Sequence, residues 1–468
     1  MIRIKQTIIF VKKIKVKMST TKATAEELGS GDLKKLLISY SGPAIAAMMA
    51  SSLYNVIDRI FIGQGVSALA ISGLAITMPV MNLSAAFGAM IGAGGATLTS
   101  IKLGQQDYNG AQKVLGNVVL LDIVLGILFM VLGLAYLDEI LFFFGASNDT
   151  IPYARDFMQV ILIGNTITHT YLGLNSVMRS SGNPQKAMYV TLSTVAINLI
   201  LAPLFIFVFK WGIRGAALST IIAQFIALII VIIHFCGKNT FPRFTKSIFK
   251  FDKRITYGII SIGMAPFVLN SCACLVVVLI NRALYQHGGD LAIGAYGITN
   301  SLLMIFGMLV MGLNQGMQPI AGYNFGAKKY DRVWEVLRLT IICATTLTSF
   351  AFLVSETIPM YLARLFTSDP QLINLTIIGL RTCSLAFPIV GFQMVTSNFF
   401  QSIGRAPMAV LLSSTRQLLL LVPLLLILPQ KFGMIGVFAS MPIADTLSSI
   451  LAFILLRKEI KRFNRQTS

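Results

Sequence analysis

The sequence predicts an all-α integral membrane protein with twelve transmembrane helices in two six-helix bundles, an N-lobe and a C-lobe related by pseudo-two-fold symmetry. Three observations carry the prediction. Of 468 residues, 55% are hydrophobic and only 12% charged, and the mean hydropathy is +0.77, a balance that a soluble chain of this length cannot keep on its surface. Apolar runs of about 20 residues or more recur throughout, each long enough as a helix to cross roughly 30 Å of hydrocarbon. An internal repeat, offset by about 222 residues, divides those runs into two sets of six.

In chain order, spans are expected at Leu36–Gly63, Leu69–Leu98, Lys113–Tyr136, Asp156–Met178, Ala187–Phe209 and Arg214–Phe235. The second set falls at Thr256–Gln286, Leu291–Tyr323, Val333–Thr357, Leu372–Phe399, Met408–Leu428 and Gly433–Leu456. The repeat is read directly: "SGPAIAAMMASSLYNVIDRIFIG" lies on "IGMAPFVLNSCACLVVVLINRALYQ", so that Pro43 meets Pro266, Asp58 meets Asn281 and Arg59 meets Arg282. Downstream, "KLGQQDYNGAQKVL" meets "NFGAKKYDRVWEVL", Gly182 falls on Gly404, and "WGIRGAALS" on "FGMIGVFAS". Six spans per repeat is an even number, so both halves enter and leave on one side and the repeats are parallel, with a cleft between lobes that can rock. The expected segments are residues 1–35, a basic N-terminal cytoplasmic segment; 36–236, the N-lobe; 237–255, a cytoplasmic linker; 256–456, the C-lobe; and 457–468, a basic tail.

The formal charge of +20 is explained by orientation rather than by nucleic acid. Lys12, Lys13, Lys15, Lys17, Lys34 and Lys35 precede the first span, Lys238 to Arg254 hold six more positives between spans six and seven, and Arg457 to Arg465 follow the last. The intervening loops carry acids such as Asp138, Glu139 and Asp149, so the positive-inside rule puts both termini in the cytoplasm; a bacterial-type plasma membrane is the expected location. The first seventeen residues lack a signal-peptide core and read as a basic arm on the inner leaflet, with Met18 as an alternative start. Cys236, Cys272, Cys274, Cys343 and Cys383 have no metal or redox spacing and read as buried thiols.

"SLYNVIDRIFIGQGVSALAISGLAITMPV", "NSVMRSSGNPQKAM" and "GMQPIAGYNFGAKKYDRV" together resemble segments of the MATE (multidrug and toxic compound extrusion) transporters, over about Lys34 to Leu456, and most resemble the MepA-like branch. The resemblance implies two six-helix bundles and export of small organic, often cationic, compounds by antiport of H⁺ or Na⁺, with no other cofactor.

The residues themselves point the same way. On a helix Ser51, Asn55 and Asp58 are spaced i, i+4, i+7 and share one face. Asp58 lies roughly 33 Å along from Leu36, in the outer part of the first lobe. A carboxylate there is costly to keep charged and unpaired, so it takes a proton, or holds a cation where other oxygens help. By resemblance, its partners in the coupling site are Asn175, Asn198 and Thr220; where many relatives carry a second acid this chain has Ala202, a weaker cage for Na⁺ and a sufficient proton acceptor, which favours H⁺. Pro203 frees a backbone carbonyl one turn back, either for that site or simply at a kink. Asn55, Asp122, Asn281, Asp445, Met78 and Met304 are candidates for a relay or the substrate cleft, with Asp122 and Asp445 alternatively paired to Arg282, Arg381 or Arg416, and His169 hydrogen-bonded in a structural role. No nucleophile–base or metal motif occurs, so the chain is not expected to be an enzyme. The expected partners are small organic, cationic substrates and the lipid bilayer, with no nucleic acid and a monomeric state. The rival reading is a lipid-linked saccharide flippase of the same superfamily, which calls for a larger and strongly cationic cavity.

Overall fold

The computed structural model describes residues 21–237 and 240–467, so the readings placed on residues 1–20 lie outside them. Nine helices among the described residues are apolar and long enough to cross a membrane, or ten when Pro370–Ser384 and Phe387–Ser402, bent by 53°, count as one span. Two further considerations bring the number to twelve. Ile151–Ser180 is 30 residues long but diluted by Asn165, Thr166, Thr168, His169, Thr170 and Asn175; it is a span whose polar face is buried against its own lobe. The stretch Ala406–Phe463 breaks at Gly433, where φ is 56°, into two.

The spans are α1 (Leu33–Gly65), α2 (Ala68–Gly104), α3 (Tyr108–Ala135), α4 (Ile151–Ser180), α5 (Pro184–Val208) and α6 (Gly212–Cys236) in the N-lobe. The C-lobe has α7 (Lys253–Gly289), α8 (Leu291–Gly326), α9 (Tyr330–Thr357), α10 (370–402), α11 (406–432) and α12 (434–467). All twelve expected spans are present, most of them longer than the apolar runs suggest. The extensions, such as 108–112 before Lys113, are turns of mixed polarity that a hydropathy argument does not mark.

Backbone geometry shows that the repeats fold alike. Gln106 and Lys328, 222 positions apart, both take positive φ (58° and 57°) in the turn after the second helix of each lobe. Gly182 and Gly404 do so after α4 and α10, and Gly212 and Gly433 at the starts of α6 and α12, where a side chain would be strained. Two short helices that the apolar pattern did not announce, Leu137–Phe143 and Pro359–Arg364, also stand 222 positions apart. The thiols divide: Cys272 and Cys383 are buried, whereas Cys236 and Cys343 are exposed, a correction for those two.

Among the described residues, the glycines at which one lobe's backbone abuts the other lie in the half that carries the linker and the termini. A Cβ at Gly94 would collide with the Ile259 carbonyl, one at Gly263 with that of Met90, and one at Gly104 with that of Tyr323. Gly312 and Gly316 of α8 pack against the side chains and backbone of Ile45 and Ser41 of α1. Side chains reinforce this seam, with Gln318 donating to Thr97 Oγ1 at 2.7 Å and to the Ala93 carbonyl at 3.2 Å. Gln318 and Thr97 are both buried.

The linker is pinned to the N-lobe by Asn117 of α3, whose Oδ1 accepts from the Asp252 N–H (3.0 Å) and the Thr256 hydroxyl (3.1 Å). At the other turn on this end, Asp107 caps α3 through the Gly110 N–H (2.8 Å) and pairs with Lys102 (2.8 Å). Those two interactions, the lysine first, hold the Asp107 carboxyl below its ordinary range. Its stabilisation is therefore present above the unfolded-state value and fades as pH falls through the lower folded one. Asp107→Ala is expected to cost about 1 kcal/mol, read as a lowered Tm in detergent at neutral pH, with the difference from the unsubstituted chain shrinking in acid.

Candidate functional site

Asp58 stands seven residues before the end of α1. Its carboxyl faces the hydroxyl of Tyr54, one turn back on the same helix, and its Oδ1 is buried without a hydrogen-bond partner. Tyr54 connects it to two other helices. The Tyr54 hydroxyl lies 3.0 Å from Thr220 Oγ1 of α6 and accepts from Asn198 Nδ2 of α5 at 2.8 Å. Asn198 Nδ2 also donates to Thr220 (2.9 Å), while its Oδ1 accepts from Ser219 (3.0 Å). Asn198 and Ser219 are buried. Ala202, one turn beyond Asn198, is wholly buried among Ile62, Ile206 and neighbours, so no oxygen replaces the missing second acid there. Pro203 marks a change in helix type: a π-helical turn, Leu204–Val208, follows it.

Three of the four expected coupling residues, Asp58, Asn198 and Thr220, thus converge through Tyr54. Asn175 does not join them. Its amide donates to Thr191 Oγ1 (3.2 Å) in a separate group with Tyr171 and Thr194. The reason is depth: Asn175 lies about 24 residues from the outer end of α4, and at 1.5 Å per residue that places it roughly 25 Å from the level of Asp58. Tyr54 was missed because an aromatic residue in an apolar span reads as packing; its i, i+4 relation to Asp58 was the available signal.

The remaining candidates scatter. Asn55 is exposed and Asn281 half-buried. Asp445 is paired with Arg416 at 2.6 Å, and Arg381 with Glu356 at 3.6 Å. Asp122 is wholly buried against Gly173, with neither carboxyl oxygen hydrogen-bonded, so the arginine pairing expected for it is not formed. His169 is buried and hydrogen-bonded to Ser84 (3.1 Å), the structural role expected of it. Met78 is an exposed contact of Arg59 (3.3 Å), and Met304 is exposed on α8.

Between the lobes lies a cleft of about 350 Å³, walled by α2 and α4 on one side and α7, α8, α10 and α11 on the other. Met311 and Met394 line it, Met78 and Met304 do not, and neither does Asp58. Its polar wall is made of amides, among them Asn314, Gln318 and Gln401, and of two arginines. The coupling candidate and the cleft are therefore separate places.

A doubled six-helix architecture with an ionisable cluster inside one lobe and a cleft between lobes invites comparison with known transporters. The MatE family profile matches residues 43–204 and 266–427, once in each lobe. The chain is a member of the MatE family. MatE proteins are membrane transporters, not enzymes. This MatE chain is 28% identical over 422 residues to the multidrug export protein MepA of Staphylococcus haemolyticus, covering 90% of this chain and 93% of that one. It is 26% identical over the same length, with the same coverage, to MepA of Staphylococcus aureus. A solved structure described as the outward-facing conformation of a multidrug resistance MATE family transporter of the MOP superfamily superposes with a TM-score of 0.88 at 22% identity, over 93% of this chain and 98% of that one. At that identity the likeness establishes the fold of this MatE chain.

Proposed function

We propose that this MatE transporter exports small organic compounds, cationic ones among them, by antiport against a cation, with H⁺ favoured over Na⁺, as a monomer in a bacterial plasma membrane with both termini in the cytoplasm. The observation that carries the proposal is Asp58: a carboxyl with one buried oxygen left without a partner, joined through Tyr54 to buried amide and hydroxyl groups on α5 and α6. A group so placed takes a proton without needing further ligands, whereas Na⁺ would need several more oxygens in its shell.

The seam supports a reading of alternating access. With the basic end in the cytoplasm, the glycine crossings close the cytoplasmic side. Protonation of Asp58 changes the charge and hydrogen-bonding of α1 against α5 and α6, and α1 also abuts α8 at Gly312 and Gly316. The same helix thus touches both the proton site and the seam, so occupancy of one biases the other. A flippase finds less support: the cleft is about 350 Å³, and one of its two arginines is neutralised by Asp445.

The test is efflux of a cationic dye from proteoliposomes under pH and Na⁺ gradients imposed separately. Efflux is expected with the pH gradient alone. Efflux driven by Na⁺ alone would reverse the ion assignment, and efflux indifferent to both would remove antiport.

A further inference from the structure

A second, smaller crevice of about 210 Å³ opens on the N-lobe between α5 and α6. It is separate from the cleft between the lobes, which no residue of α5 or α6 lines. Lys186 is the third residue of α5 and His234 the third from the end of α6, so both stand within one turn of the helix ends at the basic side of the molecule. The two are close enough for the ammonium to act on the imidazole ring. No Asp or Glu lines the crevice, and no carboxylate pairs with Lys186 among the described residues. His234 Nε2 is buried there without a hydrogen-bond partner. One turn deeper on each helix, Val190 and Ile230 continue the wall together with Met178 of α4, so the crevice is cationic at the membrane surface and apolar below it. Tyr189, Ile230 and the neighbouring Ile233 are exposed; on a membrane span such a face meets lipid, with the tyrosine at headgroup level. Where the N-lobe has Lys186 and His234, the repeat gives the C-lobe Met408 and Leu455, so the cationic end belongs to the N-lobe alone.

We propose that this crevice holds one anionic phospholipid, its phosphodiester against Lys186 and His234 and the upper part of an acyl chain on Val190, Ile230 and Met178. Phosphate oxygens accept from a lysine ammonium and from a histidine N–H, which gives the buried ring nitrogen the partner it lacks. Basic pockets between membrane helices on the cytoplasmic side take lipid headgroups by this chemistry, and on the orientation proposed above the leaflet concerned is the cytoplasmic one. A free phosphate would satisfy the cationic end and leave the apolar wall uncovered.

The probes are phosphatidylglycerol and phosphatidylcholine with identical acyl chains, which differ in net charge, and inorganic phosphate. Native mass spectrometry of the full chain in detergent is expected to retain one phosphatidylglycerol more tightly than any further lipid, and phosphatidylcholine about tenfold more weakly. Lys186→Gln is expected to weaken that first phosphatidylglycerol about tenfold or more, the range of one charge-assisted hydrogen bond. His234→Phe, which keeps the bulk of the ring, should weaken it severalfold, and Met408→Gln, at the matching place in the C-lobe, should leave it unchanged. Equal retention of the two lipids, or a first phosphatidylglycerol indifferent to both N-lobe substitutions, would overturn the proposal. Displacement of the lipid by millimolar inorganic phosphate would make this a site for a free oxyanion and overturn the lipid assignment. Should the variants not assemble, the three probes compared on the unsubstituted chain decide in the same way.

Discussion

Asp58→Asn is expected to abolish uphill efflux while leaving substrate binding and downhill movement in place. Asparagine matches the carboxyl in volume and still meets the Tyr54 hydroxyl, so α1 keeps its packing against α5 and α6; what it loses is the ability to exchange a proton. With one proton coupled to each substrate, a gradient of about two pH units supports roughly hundredfold accumulation, and without the exchange the substrate should only equilibrate. The measurement is the steady-state dye ratio across proteoliposomes with an imposed pH gradient, for the unsubstituted chain and the variant. An unchanged ratio would place coupling elsewhere, and Asp122, buried with neither carboxyl oxygen hydrogen-bonded, would be the next residue to substitute.

The second large effect is expected at the seam. Gly263 of α7 crosses α2 at Met90, and Gly94 of α2 crosses α7 at Ile259, in each case backbone against carbonyl oxygen. A methyl group at either glycine has no flexible side chain to push aside, so the helices themselves must part. Overpacking of this kind costs roughly 1–3 kcal/mol, enough to shift a two-state population about tenfold to a hundredfold. Gly263→Ala should therefore open the basic end. In a chain whose own cysteines are replaced by serine, a cysteine placed at the buried Ser100 should gain reactivity toward a membrane-impermeant thiol reagent. Gly307→Ala is the control, since a Cβ there meets nothing within 4 Å and reactivity should not change. Equal reactivity in both variants would mean that the seam does not hold the lobes.

Much of this architecture was legible because a bilayer imposes length. Each run of roughly 20 apolar residues had to become a span, and the repeat register carried through to matching backbone turns at Gly182 and Gly404. Helix ends and the short helices after α3 and α9 were not legible, because they are too short for the length that a membrane crossing imposes to fix them. Within the site, Asp58 stood out as an acid in an apolar helix. Asn175 was carried over by resemblance, although counting residues from the helix ends separates it from Asp58 by several turns. Asp445 and Asp122 looked alike as mid-span acids, and only packing distinguishes them, one held by Arg416 and the other against Gly173 with no partner. Arg179 was visible only as part of a motif; that it lines a cleft depends on α4, α8 and α10 coming together.

The most direct measurement is of the proton itself. Detergent-solubilised protein in weakly buffered, Na⁺-free solution, mixed with a cationic dye substrate, should release protons as the dye binds, and Asp58→Asn should bind the dye without that release. Equal release from the variant, or dye binding that ignores pH and responds to Na⁺ alone, would contradict proton coupling at Asp58.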